Sequence, residues 1–166
     1  GDLLGVRVLI VDDNATSREI LMTRLASWGM RPSQTEDGPS ALAWLRRAVA
    51  ENDPFLLALI DLQMPGLDGA ALGRAIKADP RISGTRLVLL TSLGDRGDAK
   101  AFADLGFSGY LTKPVRHEEL RDVLALALAE PSAATAADRP TPRPPASAFR
   151  SWAASWPPGR AAGSGP

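Results

Sequence analysis

Short apolar runs alternate along this chain with longer segments in which apolar residues recur at helical spacing. The runs are Val6 to Val11, Phe55 to Ile60 and Leu87 to Leu90, with a shorter one around Tyr110 and Leu111. Between them, Leu21, Leu25 and Trp28 fall on one helical face, as do Leu42, Leu45 and Val49, then Leu72 with Ile76, and finally Leu120, Leu124 and Leu128. This alternation predicts repeated βα units and a parallel sheet covered by helices on both faces. A fifth strand is expected at Arg31 to Thr35, and Pro32, which cannot donate to a ladder, suits it only to an edge.

Helix boundaries follow from local chemistry. Asn14 can cap the first helix by accepting a bond from an amide of its opening turn, Gly29 suits its exit, and Asp79-Pro80 closes the third. Gly94 and Gly97 disfavour helix, so the fourth is expected at about Asp98 to Leu105 with a mobile loop before it. Trp28 and Trp44 read as residues at the core or its boundary.

The 166 residues suit one domain, and no stretch approaches the ~20 apolar residues a membrane-spanning helix needs. Apolar residues make up 45% of the chain and charged residues 23%, the balance of a soluble protein, and cytoplasmic placement is the expectation. Neither membrane nor nucleic-acid contact is expected, since 19 Lys and Arg balance 19 Asp and Glu. With no cysteine, disulfides, thiolate catalysis and Cys-ligated metals are excluded. The start, Gly1-Asp2 without an initiator Met, reads as a piece of something longer.

Composition changes near residue 131. The last 36 residues hold eight of the fourteen prolines and ten alanines, so residues 1 to 130 are expected to form the domain and 131 to 166 a flexible Pro/Ala-rich tail or linker. Phe149, Trp152 and Trp156 fall at i, i+3 and i+7, a stripe that could dock on the body or a partner if the segment were helical.

In a parallel sheet the functional groups gather beyond the carboxyl ends of the strands. Here the first strand runs into Asp12 and Asp13, the third into Asp61, the fourth into Thr91 and the fifth into Lys113. Three carboxylates together repel one another unless a cation is present. Magnesium is favoured: it prefers oxygen ligands, and the chain offers no thiolate and a single His, His117. A carboxylate can also attack phosphorus when a metal and an ammonium such as that of Lys113 compensate the phosphoryl oxygens. The Thr91 hydroxyl and amides after Asp61 could serve the remaining oxygens.

The text VLIVDDN at 8 to 14, LIDLQMPGLDG at 59 to 69, LLTS at 89 to 92 and YLTKP at 110 to 114 resembles the receiver domain of two-component response regulators. The similarity spans roughly residues 6 to 130. It implies a flavodoxin-like (βα)5 three-layer sandwich with a five-stranded parallel sheet in the order 2-1-3-4-5, and Asp61 as phosphoacceptor. It further implies Mg²⁺ bound by Asp13, Asp61 and the backbone carbonyl of Gln63, with Asp12 acting mainly through water. Lys113 would pair with the phosphoryl group, Thr91 would move toward it, and Tyr110 would turn inward to remodel an output face made by helix four, strand five and helix five. The Lys113-Pro114 bond is expected to be cis. Gln63 and Leu93 stand where receiver side chains govern water access to the acyl phosphate. The segment from Leu90 to Leu120 is more similar to receivers of hybrid sensor histidine kinases, so the implied donor is a phosphohistidine on a histidine kinase or histidine phosphotransfer protein.

Plainer readings exist for each residue. Adjacent aspartates after a strand often only cap a helix, Lys113 could be a surface lysine, Thr91 a β-branched strand residue and Tyr110 simple packing, while His117 reads as a solvated helix residue. Two other functions compete with the phosphoacceptor: a receiver-like interaction module that works without phosphate, and an aspartate-nucleophile phosphatase. Against the phosphatase, the first strand is followed by Asp-Asp-Asn rather than by two aspartates one residue apart. Flavin or nucleotide binding is weak because no Gly-rich phosphate loop follows that strand.

Overall fold

The computed structural model describes residues 3 to 91 and 99 to 129. Strands β1 (Arg7–Val11), β2 (Arg31–Thr35), β3 (Leu57–Asp61), β4 (Arg86–Thr91) and β5 (Phe107–Thr112) alternate with helices α1 (Ala15–Ser27), α2 (Gly38–Ala50), α3 (Gly69–Ala78), α4 (Ala99–Asp104) and α5 (His117–Ala129). All strand pairings are parallel, and the order is β2-β1-β3-β4-β5. This is the flavodoxin-like arrangement implied by the motifs, with the Pro32 strand at an edge. The Leu93 position and the aromatic stripe of residues 149 to 156 lie outside the described residues.

Side-chain alternation along the strands builds two cores. Leu9, Val11, Ala58, Ile60, Leu87 and Leu89 face α2, α3 and α4, whereas Val8, Ile10, Leu57, Leu59, Val88 and Leu90 face α1 and α5. Every one of these strand residues is fully buried, which is why the runs lack polar alternation. The helical stripes seat where the spacing placed them: Leu21, Leu25, Leu45, Leu72, Ile76, Leu120 and Leu124 are buried. Trp44 meets Phe55 edge-on at 6.4 Å, and Trp28 packs partly buried beneath Arg121.

Polar side chains fix the helix starts. Asn14, Asp37 and Asp68 each accept a bond from an amide in the first turn of α1, α2 and α3, at 2.9, 2.8 and 2.8 Å. Two differences from the sequence reading are local. The third strand begins at Leu57 and ends on Asp61, with Phe55 buried ahead of it. A register shift between β4 and β5 pairs Leu87 with Phe107 but Val88 with Gly109, leaving Ser108 as an extra residue. Among the described residues no helix is long and apolar enough to cross a membrane.

Candidate functional site

The carboxyl ends of β1, β3, β4 and β5 meet at one rim, and the polar residues that end them converge there. Carboxylate oxygens of Asp12, Asp13 and Asp61 all lie within 4.8 Å of one another. Lys113 reaches in from the end of β5, its Nζ 2.9 Å from Asp12 Oδ2 and 3.4 Å from Asp61 Oδ2. Asp12 is fully buried and Asp61 nearly so, whereas Asp13 is exposed at the mouth. The site therefore has a closed floor and an open lip.

Asp12 is held at every polar atom. Its N–H donates to the Thr35 carbonyl at 3.2 Å, joining the ends of β1 and β2. Its Oδ1 accepts from the Asn14 amide at 2.9 Å, and its Oδ2 accepts from Lys113. Its carbonyl accepts from Nη1 of Arg18 at 2.7 Å, and Arg18 Nε donates to Gln34 Oε1 at 2.9 Å. A buried carboxylate is tolerable because these donors replace water.

Asp61 is less fully compensated. Its Oδ1 accepts from the Gln63 amide at 3.3 Å. Burial pushes its proton affinity up; Lys113 opposes that rise, the neighbouring Asp12 adds to it, and the result is a carboxyl raised to about 6. For Lys113, burial alone would weaken proton binding, but the hydrogen bond and charge of Asp12, followed by Asp61, outweigh it and the ammonium is held above its ordinary value.

The loop after Asp61 is packed tightly against the strand. The Gly69 amide donates to the Leu62 carbonyl at 2.9 Å, and a Cβ at Gly69 would lie 2.5 Å from the Asp61 carbonyl oxygen. Met64 is buried and Leu67 packs on the α2–α3 side, where Gly38 leaves room for it. Thr91 is buried at the end of β4, and its carbonyl accepts from the Lys113 amide at 2.6 Å, which fixes the lysine backbone beside the acids. The Lys113-Pro114 bond is cis. Tyr110 lies partly buried against the α2–α3–α4 side. His117 begins α5, exposed, with Arg24 Nη2 2.7 Å from its Nε2, and takes no part in the acidic cluster.

Sequence reading passed over Arg18 and Gln34. A usable signal was present: Arg18 sits four residues after the Asn14 cap, near the positive end of α1, where a cation is unfavourable unless something holds it.

Four strand ends thus bring an acidic trio, a lysine and a buried threonine to one rim. The chain matches the response regulator receiver domain family over residues 8–125 and belongs to it. It is 35% identical to the response regulator PleD of Caulobacter vibrioides over 112 residues, covering 68% of this chain and 24% of PleD. It is 33% identical to the sensor histidine kinase GacS of Pseudomonas protegens over 141 residues, 81% of this chain and 15% of GacS. The chain thus spans a quarter or less of these two relatives. Among solved structures, the receiver domain of a sensor histidine kinase from Pseudomonas aeruginosa, described with a magnesium ion in its active site cleft, aligns with a TM-score of 0.66 at 27% identity, covering 76% of this chain and 99% of that one. The chain carries a receiver domain of two-component signalling over residues 8–125.

Proposed function

We propose that Asp61 accepts a phosphoryl group from a phosphohistidine donor in a magnesium-dependent reaction, and that this modification switches a partner-binding face. The observation that carries the reading is the placement of a nearly buried carboxylate 3.4 Å from an ammonium and within 4.8 Å of two further carboxylates.

The donor set fits Mg²⁺. Carboxylate oxygens of Asp12, Asp13 and Asp61 within 4.8 Å of one another offer the hard oxygen donors that Mg²⁺ prefers. As the family resemblance implies, Asp13, Asp61 and the Gln63 carbonyl would be the direct ligands, and Asp12, fully buried and bonded to the Asn14 amide and Lys113, would act through water. When bound, the ion would supply positive charge for the phosphoryl oxygens.

The chain's own groups do the rest. A cation in the site together with Lys113 would favour the ionised Asp61 carboxylate, one of whose oxygens attacks phosphorus opposite the N–P bond of the donor. As the new O–P bond forms the N–P bond breaks; its electron pair stays on the imidazole nitrogen, which takes a proton from solvent. Lys113, already 3.4 Å from Asp61, exchanges carboxylate for phosphoryl oxygen. The Thr91 hydroxyl serves a second oxygen, and Tyr110 then moves inward to remodel the face of α4, β5 and α5. Water attack on the acyl phosphate resets the switch, with Gln63 and Leu93 governing its approach.

The donor in this reading is a histidine kinase or histidine phosphotransfer protein in the cytoplasm, and the domain is the receiver of a hybrid kinase; similarity to GacS supports that assignment. Residues 1 to 130 form the receiver and 131 to 166 a tail or linker. Transfer from a radiolabelled phosphohistidine protein tests the reading: label should move to this chain with Mg²⁺, not in chelator, and not to Asp61→Asn. Equal labelling of Asp61→Asn would refute it.

A further inference from the structure

Arg18 is bound into the acidic loop in a way the phosphoacceptor reading does not require. Its guanidinium reaches back over the first turn of α1, donating from Nη1 to the Asp12 carbonyl at 2.7 Å and from Nε to Gln34 Oε1 at 2.9 Å. The Asp12 carbonyl belongs to the peptide plane that leads directly into Asp13, the exposed member of the trio. A bond to that oxygen therefore restrains the torsion deciding where the Asp13 carboxylate points. The Asp12 N–H is tied on the other side to Thr35, the neighbour of Gln34. Arg18 and Gln34 thus close a bracket from α1 through the end of β2 to the end of β1.

Its chemistry suits a restraint. A planar guanidinium presents several donors in a fixed fork and can bridge two acceptors at once, which a lysine ammonium on a flexible stem does poorly. Its charge acts in the opposite sense: a cation beside the trio repels a divalent ion, so charge alone makes Arg18 a hindrance to metal binding. The two effects predict opposite outcomes.

We infer that Arg18, braced by Gln34, is a positioning residue that sets the Asp12-Asp13 peptide and thereby preorganises the metal-binding trio. This rests on the reading of that trio as a Mg²⁺ site. Residues that orient ligands commonly change metal affinity about 10- to 100-fold when lost. Arg18→Met should weaken Mg²⁺ binding by about 10-fold or more, Arg18→Lys should restore it only in part, and Gln34→Ala should weaken it less than Arg18→Met. Combining Arg18→Met with Gln34→Ala should add little, because the two act as one unit.

The experiment is calorimetric Mg²⁺ titration of the wild type and these variants, with amide hydrogen exchange of the metal-free proteins read at Asp12 to Asn14. The expected result is weaker binding together with faster exchange at the Asn14 amide, which donates to Asp12 Oδ1. Unchanged or tighter binding in Arg18→Met, with exchange as in the wild type, overturns the inference and leaves only the charge effect. Should the wild type itself fail to bind Mg²⁺, the metal reading falls, and the exchange measurement still decides whether Arg18 orders the loop. Gln34→Ala, an exposed edge-strand change, keeps the test decisive if Arg18→Met does not fold.

Discussion

Replacing Asp61 by Asn should stabilise the magnesium-free protein at neutral pH, although it removes the proposed nucleophile. The residue is 7% exposed, and burial, partly offset by Lys113 and reinforced by Asp12, raises its carboxyl from 3.8 to about 6. A folded-state value above the unfolded one means that the folded protein binds this proton more tightly. The stability so gained is complete below about pH 4, declines as pH rises between the two values, and is gone above about pH 6. That difference, at 1.36 kcal/mol per pH unit, is about 3 kcal/mol. Because Asp61 interacts strongly with Asp12 and Lys113, the expected advantage of Asp61→Asn at pH 7.5 is about 1 to 3 kcal/mol, or several degrees in thermal midpoint. At pH 4 the two proteins should be nearly equal. Saturating Mg²⁺ should narrow or reverse the gap, because the ion binds the wild-type site more tightly. Urea unfolding of both proteins in chelator at pH 4 and 7.5, then in Mg²⁺, measures each quantity. A less stable Asp61→Asn at pH 7.5 in chelator, or an advantage that does not change with pH, would refute the reasoning.

Lys113→Met should destabilise the protein by about 2 to 4 kcal/mol in chelator, since it strands the buried Asp12 and Asp61 without their cation, and Mg²⁺ should recover part of the loss; denaturant midpoints with and without the ion test this. The same substitution should raise the proton affinity of Asp61 further, read as an upward displacement of its carboxyl titration by NMR. Gly69→Ala should cost about 2 kcal/mol or more, because its Cβ would meet the Asp61 carbonyl oxygen at 2.5 Å and the Leu62 Cα at 2.8 Å, and backbone cannot step aside. Gly38→Ala should cost less, since the atom it meets at 2.5 Å is the end of the Leu67 side chain, so thermal melts should rank the two variants in that order.

Strands buried on both faces announce themselves, which is why the runs Val6 to Val11 and Phe55 to Ile60 are legible in the sequence as strands. Each run starts ahead of its strand, the strands themselves beginning at Arg7 and Leu57. Each carries an unbroken apolar run, and the polar residue ending it marks the functional rim. The edge strand was legible through Pro32, whose missing donor left one place for it. The extra residue at Ser108 was not, because a bulge depends on how two distant strands meet and leaves no local pattern in a segment as short as Phe107 to Thr112. Similarly, motif text and chemistry brought Asp12, Asp13, Asp61 and Lys113 together, and the structure places them at one rim. The bracket of Arg18 and Gln34 was out of reach, since it is made by a long side chain crossing between elements whose separation the sequence does not state. The raised proton affinity of Asp61 likewise arises from burial, a property of the folded rim.

The most direct test of the central claim is intact-mass measurement after incubation with acetyl phosphate, with and without Mg²⁺. The account predicts one added phosphoryl group in Mg²⁺, mapped to Asp61, none in chelator and none on Asp61→Asn. A phosphoryl group carried by another residue, or no addition to the folded, magnesium-loaded protein, would contradict it.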